Sequence, residues 1–366
     1  MENKIDTVEP AYLPGQKLNF LIDWLVTLKC NFNCAYCGLT GHDNRRPHPP
    51  VEKCIETLEQ MYQYVDTINE YKKIKNRDVI LNIYGGESLY HPDIEKILEM
   101  SSQTYNKYSS KWKLTRRMTT NASAMMKKWK VICEHIEGFT LSYHPSYHNE
   151  GKHKQRFLDS VEYLQKINKP YDMIIMFDPR PGHWETALKF YDYCKDNNFN
   201  SRPKLVDGSL GVYSKEQYKI IKILMNTKDD TLVEGRMDTQ GRACCGGRKM
   251  CINRDLKNPQ VFVPRTVGFK GWHCSAPMFF LFGNSDSGEY YTTKDCHVSL
   301  NGRLEPCATV DTTPDYIKRI KLILQRGEQP ILKCVQQKCI CGTCAPKSKS
   351  FETLQKIMNI YATSPT

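Results

Sequence analysis

The sequence lacks any apolar run long enough to cross a bilayer. Its longest runs, at residues 20–28 and 276–282, fall well short of the roughly 20 residues a membrane-spanning helix needs. The opening stretch MENKIDTVEPAYLPGQK has no apolar segment of the kind a secretory signal carries. These absences argue against a membrane protein and a secreted precursor, and the expected location is cytoplasmic. Internal repeats and low-complexity tracts are also missing, which argues against solenoids and disordered scaffolds. No Ser–His–Asp arrangement and no convincing pair of carboxylates stands out, so hydrolytic chemistry of those kinds has no obvious residues to run on.

What is present starts with size. At 366 residues the chain exceeds one average domain and fits an α/β barrel of about 200–250 residues plus an accessory domain. Apolar residues make up 40% and charged residues 25%, enough for a substantial core. The formal charge of +12 suggests an acidic partner, such as nucleic acid or an acidic peptide. A solvated basic surface, partly offset by metal-bound thiolates, explains it equally well. Sixteen cysteines are many, and ten of them lie between Cys244 and Cys344. In a cytosolic chain of this size, clustered cysteines bind metal or do chemistry more often than they form disulfides. Cys54, Cys133 and Cys194 fall inside expected helices and read as core.

From about residue 19 to 227, strand-like and helix-like patterns alternate. Apolar or β-branched runs occur at 20–28, 79–84, 114–120, 139–143, 173–177 and 203–206. Between the first two, Ile55, Leu58, Met61, Tyr62, Val65 and Ile68 recur at helical spacing. Ser214 and Gln217 stand at capping-box spacing before the last helix. Six strand–helix units in a row predict a parallel sheet with right-handed crossovers. A partial barrel of six units and an open doubly wound sheet both fit this pattern. After about 228 the alternation stops. Residues 296–307 read as a β-hairpin turning on Asn301-Gly302, and Thr313-Pro314 opens a helix that Gly327 can end. The expected division is an N-terminal segment (1–17), an α/β barrel (18–228) and a small cysteine-rich domain (229–366). That last domain shows few periodic core segments, so metal ligation is expected to help fold it.

The strongest motif is Cys30-Asn31-Phe32-Asn33-Cys34-Ala35-Tyr36-Cys37, just past the first expected strand. A C-x3-C-x2-C match arises by chance only about 0.03 times in a chain of this composition. In parallel α/β folds that strand end faces the ligand. Three thiolates on one loop can hold three irons of a cubane and leave the fourth open. A structural zinc site would want a fourth ligand, and no Cys or His lies close enough in sequence to provide one.

The segment CNFNCAYC resembles the signature of radical S-adenosylmethionine (SAM) enzymes. That resemblance implies a partial (β/α)6 TIM-like barrel, a 4Fe–4S cluster on Cys30, Cys34 and Cys37, and SAM chelating the open iron. Gly85-Gly86-Glu87 resembles the family's GGE motif. It implies backbone approach to the SAM methionine, with Glu87 as a partner for its ammonium group. Thr119-Thr120-Asn121 resembles the TTN segment, and Ser142 ends the fourth strand, where relatives place groups that reach the SAM ribose or carboxylate. Tyr36 is similar to the aromatic residue whose backbone meets adenine. Met176 and Phe177, ending the fifth strand, are expected to pack either on that base or in the core. Lys152, Lys154 and Arg156 lie where some relatives hold a carboxylate-binding cation, and a solvated helix start fits them equally well.

Toward the C-terminus, Cys274, Cys296, Gly302-x4-Cys307 and Cys334-x4-Cys339-x-Cys341-x2-Cys344 resemble a SPASM or twitch domain. One or two auxiliary 4Fe–4S clusters are implied, with a final spacing that departs from the usual pattern. Cys244, Cys245 and Cys251 are extra, as additional ligands, as a hydrogen-atom donor or as inert buried cysteines. The implied reaction is reductive cleavage of SAM to methionine and a 5′-deoxyadenosyl radical that abstracts hydrogen from a substrate. The implied partners are a flavodoxin- or ferredoxin-like reductant and a peptide or amino-acid-like substrate. The charge keeps a nucleotide or nucleic-acid substrate open, and a non-catalytic zinc-binding module is the third reading.

Overall fold

Each of the six apolar runs becomes a strand, and each strand leads into a helix. The computed structural model describes residues 7–10, 19–37, 44, 47–73, 77–206, 213–224, 250–252, 270–291, 297–300, 303–306, 313–333 and 346–363. After β1 (Thr7–Pro10) come β2 (Phe20–Leu25), α1 (Val51–Lys72), β3 (Arg77–Tyr84), α2 (Ile94–Asn106), β4 (Trp112–Thr120) and α3 (Met126–His135). Then follow β5 (Gly138–Tyr143), the single turn α4 (Pro145–His148), α5 (Gly151–Lys166), β6 (Tyr171–Phe177), α6 (His183–Asp196), β7 (Ser201–Leu205) and α7 (Lys215–Leu224). The remainder holds β8 (Met250–Ile252), β9 (His273–Cys274), β10 (Phe280–Asn284), β11 (Glu289–Tyr291), β12 (His297–Leu300) and β13 (Arg303–Pro306). It ends with α8 (Thr313–Gln325), β14 (Leu332–Lys333), β15 (Lys347–Ser348) and α9 (Phe351–Thr363).

Strands β2 to β7 lie side by side in chain order, all parallel. Their pleat sorts residues between two faces. One face is buried against helices: Phe139 packs on Trp129 of α3, Tyr143 on Phe157 of α5 and Phe190 of α6, and Phe177 on Trp184 of α6. The other face stays accessible, with Asp78, Arg117 and Thr119 exposed and Asn82 and Ser142 half-buried. A doubly wound sheet carries helices on both faces. Among the described residues the helices pack on one face, the arrangement of a barrel-type winding, and the sheet ends on β7 without closing. Gln217 N–H donates to Ser214 Oγ (3.2 Å) while Ser214 N–H donates to Gln217 Oε1 (2.8 Å), the reciprocal cap expected for α7.

The region after 228 departs from expectation in two respects. Residues 280–284 form β10, which pairs in parallel with β2, Phe280 opposite Leu21 and Asn284 opposite Leu25. With it the parallel part of the sheet has seven strands, and β11 continues it antiparallel. Sheet membership thus crosses the expected boundary at 228. The segment is buried on both faces, so it reads as a continuous apolar run without the alternation that flags a strand. Nor does this region lack core: Ile317, Ile320, Ile323 and Leu324 of α8 are all buried. A second sheet of small strands runs in the order β13-β12-β14-β9-β15-β1-β8. Its β12–β13 pair has Leu300 opposite Arg303, the register of the expected hairpin. The Asn301-Gly302 turn itself lies outside the described residues. Cys54, Cys133 and Cys194 sit buried in α1, α3 and α6 as core residues.

Candidate active site

The cysteine loop leaves β2 and is fastened to its neighbour at once. Val26 N–H donates to Tyr84 O (2.9 Å), Gly86 N–H to Thr27 O (2.7 Å) and Glu87 N–H to Lys29 O (2.8 Å). This close backbone approach explains the glycine pair. A Cβ on Gly85 would fall well inside contact distance of the Thr27 carbonyl, and one on Gly86 would strike the Leu28 and Lys29 carbonyls. Cys37 N–H donates to Cys34 O (3.0 Å), closing a turn between two of the cysteines. Leu28 N–H donates to the Asp286 carboxylate, so the turn after β10 also holds the loop.

Glu87 is fully buried at the ends of β3 and β4. Its Oε1 accepts from Leu89 N–H (3.0 Å) and Thr120 Oγ1–H (2.7 Å), and its Oε2 accepts from Asn121 N–H (2.6 Å). Burial is the largest influence on this carboxyl and pushes its pKa up. The resemblance gave Glu87 to an ammonium partner; here three donors of the chain itself already occupy it. The network runs on into the cysteine loop. Asn121 Nδ2 donates to Asn31 Oδ1 (3.0 Å) and lies 3.9 Å from Cys30 Sγ, while Asn31 Nδ2 donates to Ser123 Oγ (2.7 Å). Arg156 joins its edge by donating to Ser123 O (3.2 Å), whereas Lys152 and Lys154 are exposed on α5.

A second brace escaped the sequence reading. The turn after β5, His144-Pro145-Ser146-Tyr147-His148, grips the loop from the other side. Phe32 stacks on Tyr147 (4.2 Å, 6°), and Asn33 N–H donates to Tyr147 Oη (2.7 Å). His144 Nδ1 lies 2.9 Å from Tyr36 Oη and 3.5 Å from Cys34 Sγ. Its only sequence signal was two histidines and a tyrosine directly after a strand. Beyond β6, Asp178 is fully buried and carries a two-nitrogen ion pair with Arg180.

Cys30, Cys34 and Cys37 form no disulfide. Burial, aided by the charges of Glu87 and of the other two cysteines, pushes Cys30 up to about 12. Burial and the neighbouring Cys37 push Cys34 up to about 12, against a hydrogen bond from Tyr36. The sulfurs therefore sense one another, although among the described residues no three His, Cys, Asp or Glu side chains are gathered tightly enough to hold a single metal ion as they stand.

The fifth strand needs a correction. Met176 and Phe177 are adjacent, so the pleat sends them to opposite faces. Phe177 is wholly buried between Trp184 and Tyr191 on the helix face, and core packing is its role. Met176 faces the accessible side, as does Ser142, the register partner of Ile174.

Of the C-terminal cysteines, Cys274 is buried in β9, opposite Leu332 and Lys347. Cys251 lies in β8. Cys244, Cys245, Cys296, Cys307, Cys334, Cys339, Cys341 and Cys344 lie outside the described residues. The residues joined to Cys296, Cys307 and Cys334 are nonetheless described: His297 is the register partner of both Pro306 and Lys333 at one end of the sheet.

Solved structures resemble this chain. Native anSMEcpe with bound AdoMet and Cp18Cys peptide is 16% identical with a TM-score of 0.49, over 81% of this chain and 79% of that one. Native anSMEcpe with bound AdoMet is 15% identical with a TM-score of 0.48, over 81% and 80%. Streptococcus suis SuiB bound to precursor peptide SuiA is 14% identical with a TM-score of 0.39, over 59% and 44%, so the chain spans less than half the length of SuiB. No protein-family model and no curated protein matches the chain. Likeness at this level says nothing about chemistry; the residues at the strand ends carry that. Among the described residues no helix is long and apolar enough to cross a membrane.

Proposed function

We propose that the chain is a radical SAM enzyme that acts on a peptide or amino-acid-like substrate. The observation that carries this reading is the placement of the C-x3-C-x2-C loop. It leaves the first strand of a one-sided parallel barrel, and the ends of the second and third strands are fastened to it through Glu87 N–H to Lys29 O (2.8 Å) and Asn121 Nδ2 to Asn31 Oδ1 (3.0 Å). Three motifs far apart in sequence meet at the end of the sheet where α/β folds bind ligands.

The donor set fits an iron–sulfur cubane. Each thiolate of a cubane binds its own iron, so the three sulfurs stay farther apart than ligands of one ion do. Three thiols on one loop, near enough for their charges to act on one another, suit such a set. Cys30, Cys34 and Cys37 would hold the cluster. When bound, the cluster and SAM supply a one-electron cleavage that yields methionine and a 5′-deoxyadenosyl radical. The chain's own contribution is positioning. The Gly85–Gly86 backbone, Thr120, Asn121, Ser142, Met176 and the Tyr36 backbone would border SAM. Glu87 clamps the ends of β3 and β4, so that Asn121 stays beside Cys30. The substrate would enter along the accessible face of the sheet, where Arg117 and Thr119 are exposed.

An auxiliary 4Fe–4S cluster in the C-terminal part belongs to the same reading. It is supported by the register that brings the strand ends preceding or following Cys296, Cys307 and Cys334 together. Anaerobic reconstitution tests both. The wild type should bind iron and sulfide, and the Cys30/Cys34/Cys37→Ala triple variant should lose about four irons while keeping about four or eight. A wild type that binds only zinc would refute the reading.

A further inference from the structure

Cys34, Tyr36 and His144 form a cluster that the proposed chemistry does not require. His144 Nδ1 is 2.9 Å from Tyr36 Oη and 3.5 Å from Cys34 Sγ. Beside these contacts, the Tyr36 hydroxyl favours the Cys34 thiolate, and Ser146 also reaches that hydroxyl. The Tyr36 and His144 rings are parallel within 7° at 5.9 Å.

The backbone of His144 is held from behind. His144 N–H donates to His148 Nδ1 (2.9 Å), and the Tyr147 and His148 N–H groups both donate to His144 O (2.9 Å each). Pro145 opens this turn, and Phe32 meets the His144 ring edge-on at 6.0 Å.

A count of protons gives the cluster a direction. A thiolate bound to iron can only accept. Neutral imidazole has one N–H and tyrosine one O–H. With the imidazole proton on Nδ1, Nδ1–H donates to Oη and Oη–H donates to Sγ, so both donors are used and the sulfur receives one hydrogen bond. Cys30 is served differently, by Phe32 N–H at 3.3 Å and Asn121 Nδ2 at 3.9 Å.

We propose that Tyr36 and His144 are positioning residues, a serial hydrogen-bond relay that donates to the Cys34 sulfur and raises the reduction potential of the cluster bound there. The inference rests on the radical SAM reading. A donor aimed at a ligand sulfur stabilises the extra negative charge of the reduced cluster, which is how outer hydrogen bonds tune iron–sulfur potentials. His144 acts by orienting and polarising the tyrosine hydroxyl, so its effect passes through Tyr36.

The test is an anaerobic redox titration followed by electron paramagnetic resonance. The signal that disappears in the Cys30/Cys34/Cys37→Ala variant identifies the N-terminal cluster. Tyr36→Phe should shift its midpoint to a more negative potential, with iron content unchanged. His144→Phe should shift it the same way by less, and the double variant should shift no further than Tyr36→Phe alone, since the relay is serial. His144→Asn, whose amide nitrogen can take the place of Nδ1, should restore most of the wild-type value. If the substitutions disturb cluster binding, 3-fluorotyrosine at position 36 keeps shape and fold but strengthens the O–H donor, and the midpoint should move to a more positive potential. A cluster whose midpoint stays at the wild-type value in Tyr36→Phe and with fluorotyrosine overturns the relay and leaves the enzyme reading intact. Additive shifts in the double variant also overturn it. A wild-type chain that takes up no cluster overturns the enzyme reading and the relay together.

Discussion

Removing the Glu87 carboxylate should loosen the strand ends that frame the site. Three donors converge on it: Leu89 N–H at 3.0 Å, Thr120 Oγ1–H at 2.7 Å and Asn121 N–H at 2.6 Å. Glu87→Ala leaves two buried backbone N–H groups with no acceptor, while the Thr120 hydroxyl can rotate elsewhere. Each unsatisfied buried donor costs about 1–3 kcal/mol, so the expected loss is about 2–6 kcal/mol. Glu87→Gln separates the contributions. Its amide oxygen can still serve Leu89 and Thr120, but its NH2 would face the Asn121 N–H, one donor against another. That variant should lose about 1–3 kcal/mol. Denaturant unfolding of the metal-free protein, followed by tryptophan fluorescence, reads both values. If Glu87→Ala falls within about 0.5 kcal/mol of wild type, as ordinary surface substitutions do, the clamp does not exist. If Gln costs as much as Ala, the bond geometry assigned to Oε1 is wrong.

Three further outcomes follow from the same packing. Gly86→Ala should push the cysteine loop off β3, costing roughly 1–3 kcal/mol by overpacking and lowering iron uptake on reconstitution; uptake equal to wild type would show that the close approach is dispensable. Phe177→Ala should cost about 3–5 kcal/mol as a core truncation and leave SAM affinity unchanged by equilibrium dialysis, whereas a tenfold weaker affinity would return Phe177 to the adenine. The metal-free protein should hold its stability up to about pH 9 and lose it as pH rises toward 12. Cys30, Cys34, Cys54 and Cys194 have folded-state values pushed up to about 12 by burial, above the ordinary 9. The stability from burying a neutral thiol is complete below the unfolded value and disappears through the folded one. Denaturant midpoints unchanged between pH 8 and pH 11 would contradict the buried placement.

The six barrel strands were legible because each is an apolar run bounded by a helix with a clear stripe. Strand β10 was not. Its partner β2 lies more than 250 residues away, and a strand buried on both faces shows no alternation. The choice between barrel and doubly wound sheet also waited on the structure, since periodicity says which residues share a face but not which faces carry helices. At the site, the Cys30 loop and Gly85–Glu87 could be read from residue type and spacing. The contact between Cys34 and His144 spans 110 positions and could not. Glu87 shows the remaining gap: a motif names the residue, while its partners depend on how β3 and β4 end side by side.

The central claim is that the Cys30–Cys37 loop carries a cluster that cleaves SAM. The most direct measurement is 5′-deoxyadenosine formed by anaerobically reconstituted protein with SAM and a strong reductant, quantified by mass spectrometry beside the Cys34→Ala variant. The account predicts steady formation by wild type and none above background by Cys34→Ala. Formation by Cys34→Ala at the wild-type rate, or none by a wild type carrying its full iron, would contradict it.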